Sequence, residues 1–129
     1  MAVLNAIGIA VSDMQASIRF YRLLGLDVPD DPGEGHVDIP LPEGGRLMLD
    51  SEDVILSFLP DWTRTDGNQV SLAFECESPA KVDELYERVV EAGYEGEKPP
   101  WDAFWGQRYA LLGDPDGVRV NLYAALHAD

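Results

Sequence analysis

Basic residues are scarce in this chain. Nine Lys and Arg stand against 24 Asp and Glu, a formal net charge of −15. The excess is even: 11 acidic and 4 basic residues in 1–65, then 13 and 5 in 66–129. Such a field repels nucleic acid and anionic membranes, and attracts cations. Solubility in an acidic proteome accounts for it at least as well. A single cysteine, Cys76, excludes an internal disulfide and fits a reducing cytoplasm. No apolar run approaches the roughly 18–20 residues needed to span a bilayer. No basic stretch followed by an apolar one opens the chain, so no signal peptide and a cytoplasmic location are expected. The glycine patterns of nucleotide-binding loops, and the Gly-x-Ser-x-Gly of hydrolases, are missing. Histidine is limited to His36 and His127.

What is present is enough for one domain with its own core: 129 residues, 46% of them apolar. Residues 4–11 alternate, with Ile7, Ile9 and Val11 on one face and Ala6, Gly8 and Ala10 on the other, the period of a strand. Ser12 or Asp13 caps a helix over about 13–24, with Ala16, Ile18, Phe20, Tyr21 and Leu24 as its apolar side and Gly25 after its end. Three strands are expected next: 36–41, 46–50 and 54–59, the last closed by Pro60. Pro40 and Pro42 confine the first of these to an edge. Residues 61–67 read as a linker. The pattern then restarts. Residues 70–76 alternate Leu72, Phe74 and Cys76 against Ser71, Ala73 and Glu75. Ser78 and Pro79 open a helix whose Val82, Leu85, Tyr86 and Val89 share a face, and Gly93 closes it. A short strand near 94–99 and a final hairpin complete the chain.

The hairpin is the most specific stretch. Residues 107–112 and 118–124 flank Asp114-Pro115-Asp116-Gly117, whose Pro presets φ and whose Gly accepts φ > 0. Along 118–124, Val118, Val120 and Leu122 alternate with Arg119, Asn121 and Tyr123. The two halves also repeat. Asp13 and Ser78 lie 65 residues apart, as do Tyr21 and Tyr86. Two stretches, Val11-Ser12-Asp13 through Phe20-Tyr21 to Leu24-Gly25-Leu26 and Trp105-Gly106 to Tyr123, together resemble the vicinal oxygen chelate superfamily of glyoxalase I, bleomycin-resistance proteins and extradiol dioxygenases. The resemblance implies an α+β fold of two tandem βαβββ modules, 1–60 and 68–129, whose curled sheets enclose a cavity. It also implies a homodimer.

In metal-dependent members of that superfamily, ligands project from the first and last strands of each module. The matching positions here are Ala6, Ser71, Asn121 and a residue among Leu56, Ser57 and Phe58. None is a His or a carboxylate, and a catalytic divalent ion normally takes three or more protein donors. No metal and no cofactor are therefore expected. His36, Asp38, Asp50 and Glu75 are the remaining donors on strands; His36 and Glu75 are candidates to face the cavity, with a solvated strand end as the plain alternative for Glu75. His127 reads as tail. Cys76 has the parity of Leu72 and Phe74 and reads as a buried, inert thiol.

A cavity lined by neutral polar and aromatic groups remains. Arg119, Asn121 and Tyr123 share the face of the missing carboxylate. Trp101, Phe104 and Trp105 precede the hairpin, either as cover for the sheet edge or as a stacking platform. With Glu75 and His36 they make up the expected ligand-binding set. The resemblance implies a metal-free protein that sequesters a small aromatic or cationic molecule, an antibiotic or a metabolite, in the manner of bleomycin-resistance proteins. The competing expectation is a lyase, isomerase or dioxygenase with a shifted metal site, or one acting without metal through Tyr123, Arg119 or Glu75. An accessory subunit without chemistry is a third reading.

Overall fold

The computed structural model describes residues 1, 3–65 and 70–127. The chain divides into two compact units, Met1–Thr65 and Asp66–Asp129. Of the expected linker, residues 66 and 67 lie outside the described residues. Residues 61–65 belong to the first unit, where the Arg64 guanidinium donates to Glu52 (3.0 Å) and to the Ala10 carbonyl (3.3 Å).

The first unit begins with β1 (Ala6–Val11) and α1 (Met14–Leu23). Asp13 is the N-cap, its carboxylate accepting from Ala16 N at 3.1 Å. Past the C-cap, Gly25 takes φ 96°, where a side chain would be strained. β2 (His36–Pro40) and β3 (Arg46–Ser51) follow, giving a sheet in the order β1-β3-β2. β1 runs parallel to β3, and β2 antiparallel to it. Ile9, Val11, Val37, Ile39, Leu47 and Leu49 fill one face of this sheet, and α1 buries Ile18, Phe20 and Tyr21. β2 is an edge strand, as its prolines require.

The third expected strand is absent. Residues 52–58 form helix α2 (Glu52–Phe58), capped by the Ser51 hydroxyl, which accepts from Val54 N at 3.2 Å. The signal was local. Ser at the N-cap with Glu52 and Asp53 in the first turn suits the positive end of a helix, and 54–59 is an apolar run interrupted by Ser57 alone, without strand alternation. The strand beside β1 is β3, so β3 closes the first module.

The second unit runs β4 (Ser71–Glu75), α3 (Pro79–Glu91), β5 (Glu95–Ala103), β6 (Gln107–Gly113) and β7 (Arg119–Ala125). Its sheet order is β4-β7-β6-β5, with β4 parallel to β7 and the remaining neighbours antiparallel. Ser78 caps α3 by accepting from Lys81 N at 3.3 Å, with Pro79 in the first turn. Val82 and Val89 are fully buried, and Leu85 and Tyr86 half-buried beside them. α3 packs on β5, β6 and β7. The sheet's helix-facing side carries Ala110, Leu112, Val120, Leu122 and Ala124, all buried. Arg108 shares that side and pairs with Asp83 of α3 at 3.0 Å. β5 is longer than expected and bulges between Gly96 and Trp101, around Pro99-Pro100 at the sheet edge.

Each unit thus pairs its first strand, in parallel, with its last. Register makes the repeat quantitative: Ala6 faces Arg46 as Ser71 faces Arg119, and Gly8 faces Met48 as Ala73 faces Asn121.

Candidate functional site

The turn that sets the site is held by Asp114. Its carboxylate oxygen accepts from Asp116 N and Val118 N, both at 2.8 Å, and Gly117 takes φ 84°. This fixes β6 against β7, with Tyr109 opposite Tyr123, Leu111 opposite Asn121 and Gly113 opposite Arg119. Period-two alternation then places Gln107, Tyr109, Leu111, Arg119, Asn121 and Tyr123 on the sheet face opposite α3. β5 adds Trp101 beside Tyr109 and Lys98 beside Leu111, and β4 adds Ser71, Ala73 and Glu75.

The aromatic groups meet there. Trp101 lies 6.1 Å from Trp105 and 5.7 Å from Tyr109, edge to face in both pairs. Trp105 lies 5.2 Å from Tyr109, and Tyr109 stacks on Tyr123 at 6.2 Å with 28° between planes. Phe104 touches Trp105 at 5.1 Å but is otherwise exposed at the tip of the β5–β6 turn. Trp105 itself is 48% exposed, and its indole N–H donates to Gln107 Oε1 at 2.9 Å. The Asn121 amide donates to Tyr109 Oη at 3.0 Å, which orients the phenol ring. Its carbonyl oxygen is buried and accepts from no described residue. A buried polar atom without a partner is costly in a folded protein and uncommon.

Of the expected set, Trp101, Trp105, Asn121 and Tyr123 form one contiguous corner, and Phe104 borders it. Arg119 shares the face and donates from Nε to Glu97 at 3.0 Å. Glu75 is exposed at the end of β4, opposite Tyr123. Tyr109, the hub of the corner, was not among the expected residues. Its signal was parity with Gln107 and Leu111, masked because Leu111 and Leu112 are both apolar. Lys98 was also missed: its ammonium lies 3.9 Å from the centroid of the Trp101 ring. Trp101 is therefore not a vacant platform for a cation, since the protein's own cation stands on it.

His36 belongs to the first unit's sheet, on the face opposite α1. Its Nδ1 lies 2.5 Å from Asp50 and its Nε2 3.0 Å from Asp38, which Arg46 also contacts at 3.1 Å. The Asp50 hydrogen bond and the two carboxylate charges raise the His36 pKa against a smaller opposing effect of burial. A ring whose two nitrogens both face carboxylates is held as a donor, which suits it poorly as a base. Cys76 is half-buried and its thiol pKa is raised, chiefly by burial, which keeps the nucleophilic thiolate scarce.

The metal positions of the resemblance can now be tested against these strands. Ala6 offers no donor, and Ser71 and Asn121 are neutral. The position sought among Leu56, Ser57 and Phe58 falls on α2; register moves it to Met48 of β3, the counterpart of Asn121. This donor set does not fit a catalytic divalent ion. Among the described residues, no three His, Cys, Asp or Glu side chains are grouped so as to hold a metal.

The family model of the Glyoxalase/Bleomycin resistance protein/Dioxygenase superfamily matches residues 3–122. The chain belongs to this superfamily. Solved structures carry the same fold. A glyoxalase-related enzyme from Fulvimarina pelagi superposes with a TM-score of 0.83 at 21% identity, covering 96% of this chain and 88% of that one. A superfamily protein from Nocardioides gives 0.76 at 26%, covering 100% and 87%. A lactoylglutathione lyase from Agrobacterium tumefaciens gives 0.69 at 19%, covering 96% and 94%. No curated protein sequence matches. Among the described residues, no helix is long and apolar enough to cross a membrane.

Proposed function

We propose that this superfamily member binds a flat aromatic small molecule on the second unit's sheet and holds it without converting it. The observation that carries this reading is the corner of Trp101, Trp105, Tyr109 and Tyr123, built around Asn121 at the position where metal-dependent relatives carry a carboxylate. Three rings with centroids 5–6 Å apart present edges and faces that a fourth ring extends at little cost in side-chain order. The five side chains of that corner include no imidazole and no carboxylate to take a proton from a ligand. Sequestration requires affinity and shape alone.

The test is quenching of tryptophan fluorescence by a panel of planar aromatic antibiotics and metabolites, glycopeptides of the bleomycin type included. Stacking on a Trp contributes about 0.5–1.5 kcal/mol beyond area burial, so Trp105→Ala weakens binding about twofold to tenfold. The bound compound is recovered chemically unchanged. A panel without any binder, or a binder indifferent to Trp105→Ala, refutes the reading; recovery of a transformed product turns it toward an enzyme.

A further inference from the structure

The polar end of the same face indicates what else the ligand carries. Lys98 stands on β5 beside Leu111, its ammonium over Trp101, and among the described residues no carboxylate pairs with it. Arg119 stands on β7 opposite Gly113. Because Gly113 puts no side chain in the way, the Arg119 guanidinium crosses β6 and reaches Glu97 on β5, in the position next to Lys98. Only its Nε is engaged there; the two terminal nitrogens have no partner among the described residues. Glu95 stands opposite Gly113 on the same face, so two cations and two carboxylates leave this end without net charge, and what distinguishes it is the unpaired Lys98 ammonium on Trp101 and the open edge of Arg119. Glu75 stands at the opposite end of β7, beside Tyr123. In a chain of net charge −15, the charge that stands on the aromatic wall itself is the Lys98 ammonium.

We infer that the ligand is an aromatic anion, its ring against Trp105 and Tyr109 and its carboxylate, sulfonate or phosphoryl group toward Lys98 on Trp101 and the free edge of Arg119. This rests on the flat-ligand reading above and replaces the cationic ligand that net charge alone suggests. A cation on Trp101 must displace Lys98, whereas an anion recruits it. The carboxylates elsewhere on the surface do not override this, because at 0.15 M salt fields decay over about 8 Å. The Arg119 fork suits a planar or tetrahedral oxyanion with two acceptor oxygens.

Three matched probes test the inference by titration calorimetry on the full chain: 2-naphthoate, neutral 2-naphthamide and 2-naphthylmethylammonium. In 0.15 M NaCl the naphthoate binds about fivefold more tightly than the amide, as one exposed and one half-exposed cation contribute. The ammonium binds most weakly. Lys98→Met lowers the naphthoate-to-amide affinity ratio about threefold. As a measurement on the unaltered protein, raising NaCl to 0.5 M lowers the same ratio. An ammonium that binds tightest, or a ratio unmoved by both Lys98→Met and salt, overturns the anion while binding of the amide leaves the flat-ligand reading in place. If none of the three probes binds, both readings fall.

Discussion

Asp114 offers the sharpest test of how the site is held. The residue is 4% exposed, and one carboxylate oxygen accepts two backbone N–H groups at 2.8 Å. Removing it in Asp114→Ala leaves the donors of Asp116 and Val118 without that acceptor. A hydrogen bond to a charged group contributes about 1.5–3 kcal/mol. The Asp116 end of the turn is half-exposed and water replaces part of that loss. The net cost is therefore about 2–4 kcal/mol. For a chain of this size each kcal/mol corresponds to roughly 3–5 °C, so the melting temperature falls by about 6–20 °C. Asp114→Asn keeps an acceptor oxygen without its charge and costs about half as much. Thermal and urea unfolding, followed by circular dichroism and tryptophan fluorescence, measure both variants. A loss below about 0.5 kcal/mol for the Ala variant, or equal losses for both, would refute the argument that the carboxylate holds the turn.

His36 predicts a pH dependence. Its folded pKa is raised, so it stabilises the protein fully below its unfolded value of about 6.5, and that stabilisation is lost as pH rises through the folded value. The melting temperature of the native chain minus that of His36→Gln is expected to be larger at pH 5.5 than at pH 8.5; a difference that grows with pH contradicts it. The purified protein is expected to carry no stoichiometric Zn, Ni, Fe or Mn by elemental analysis, and one tightly held equivalent would show that the donor set was misjudged. We also propose a homodimer, since Phe58, Leu59 and Phe104 leave large apolar side chains exposed. Light scattering at micromolar concentration should give twice the chain mass, and a monomer there counts against it.

Much of the architecture was legible because it is written in short-range signals. Asp13 and Ser78 announce helix starts through hydrogen bonds three residues long, Pro79 does so by its preset φ in the first turn, and Gly25 and Gly93 mark their ends by the positive φ that side chains resist. The Val82, Leu85, Tyr86 and Val89 spacing settles which side of α3 is buried. The Asp114–Gly117 turn sets a register, and register settles in advance that Arg119, Asn121 and Tyr123 share a face, since a slip of one residue would turn all three over. The one misread element, 54–59, was an apolar run in which strand and helix look alike; the cap at Ser51, not the run, decided it.

What lay beyond the sequence is what depends on pairing between distant strands. Nothing local says that β3 rather than 54–59 lies beside β1, and that pairing alone moves the fourth metal position to Met48. Nothing local says that Trp101 lies beside Tyr109, because the Pro99-Pro100 bulge shifts the count along β5. Net charge suggested a cationic ligand, but it is a sum over the chain. Binding responds to the few groups within a Debye length, and only the fold put Lys98 on Trp101 and carried Arg119 across Gly113 to Glu97.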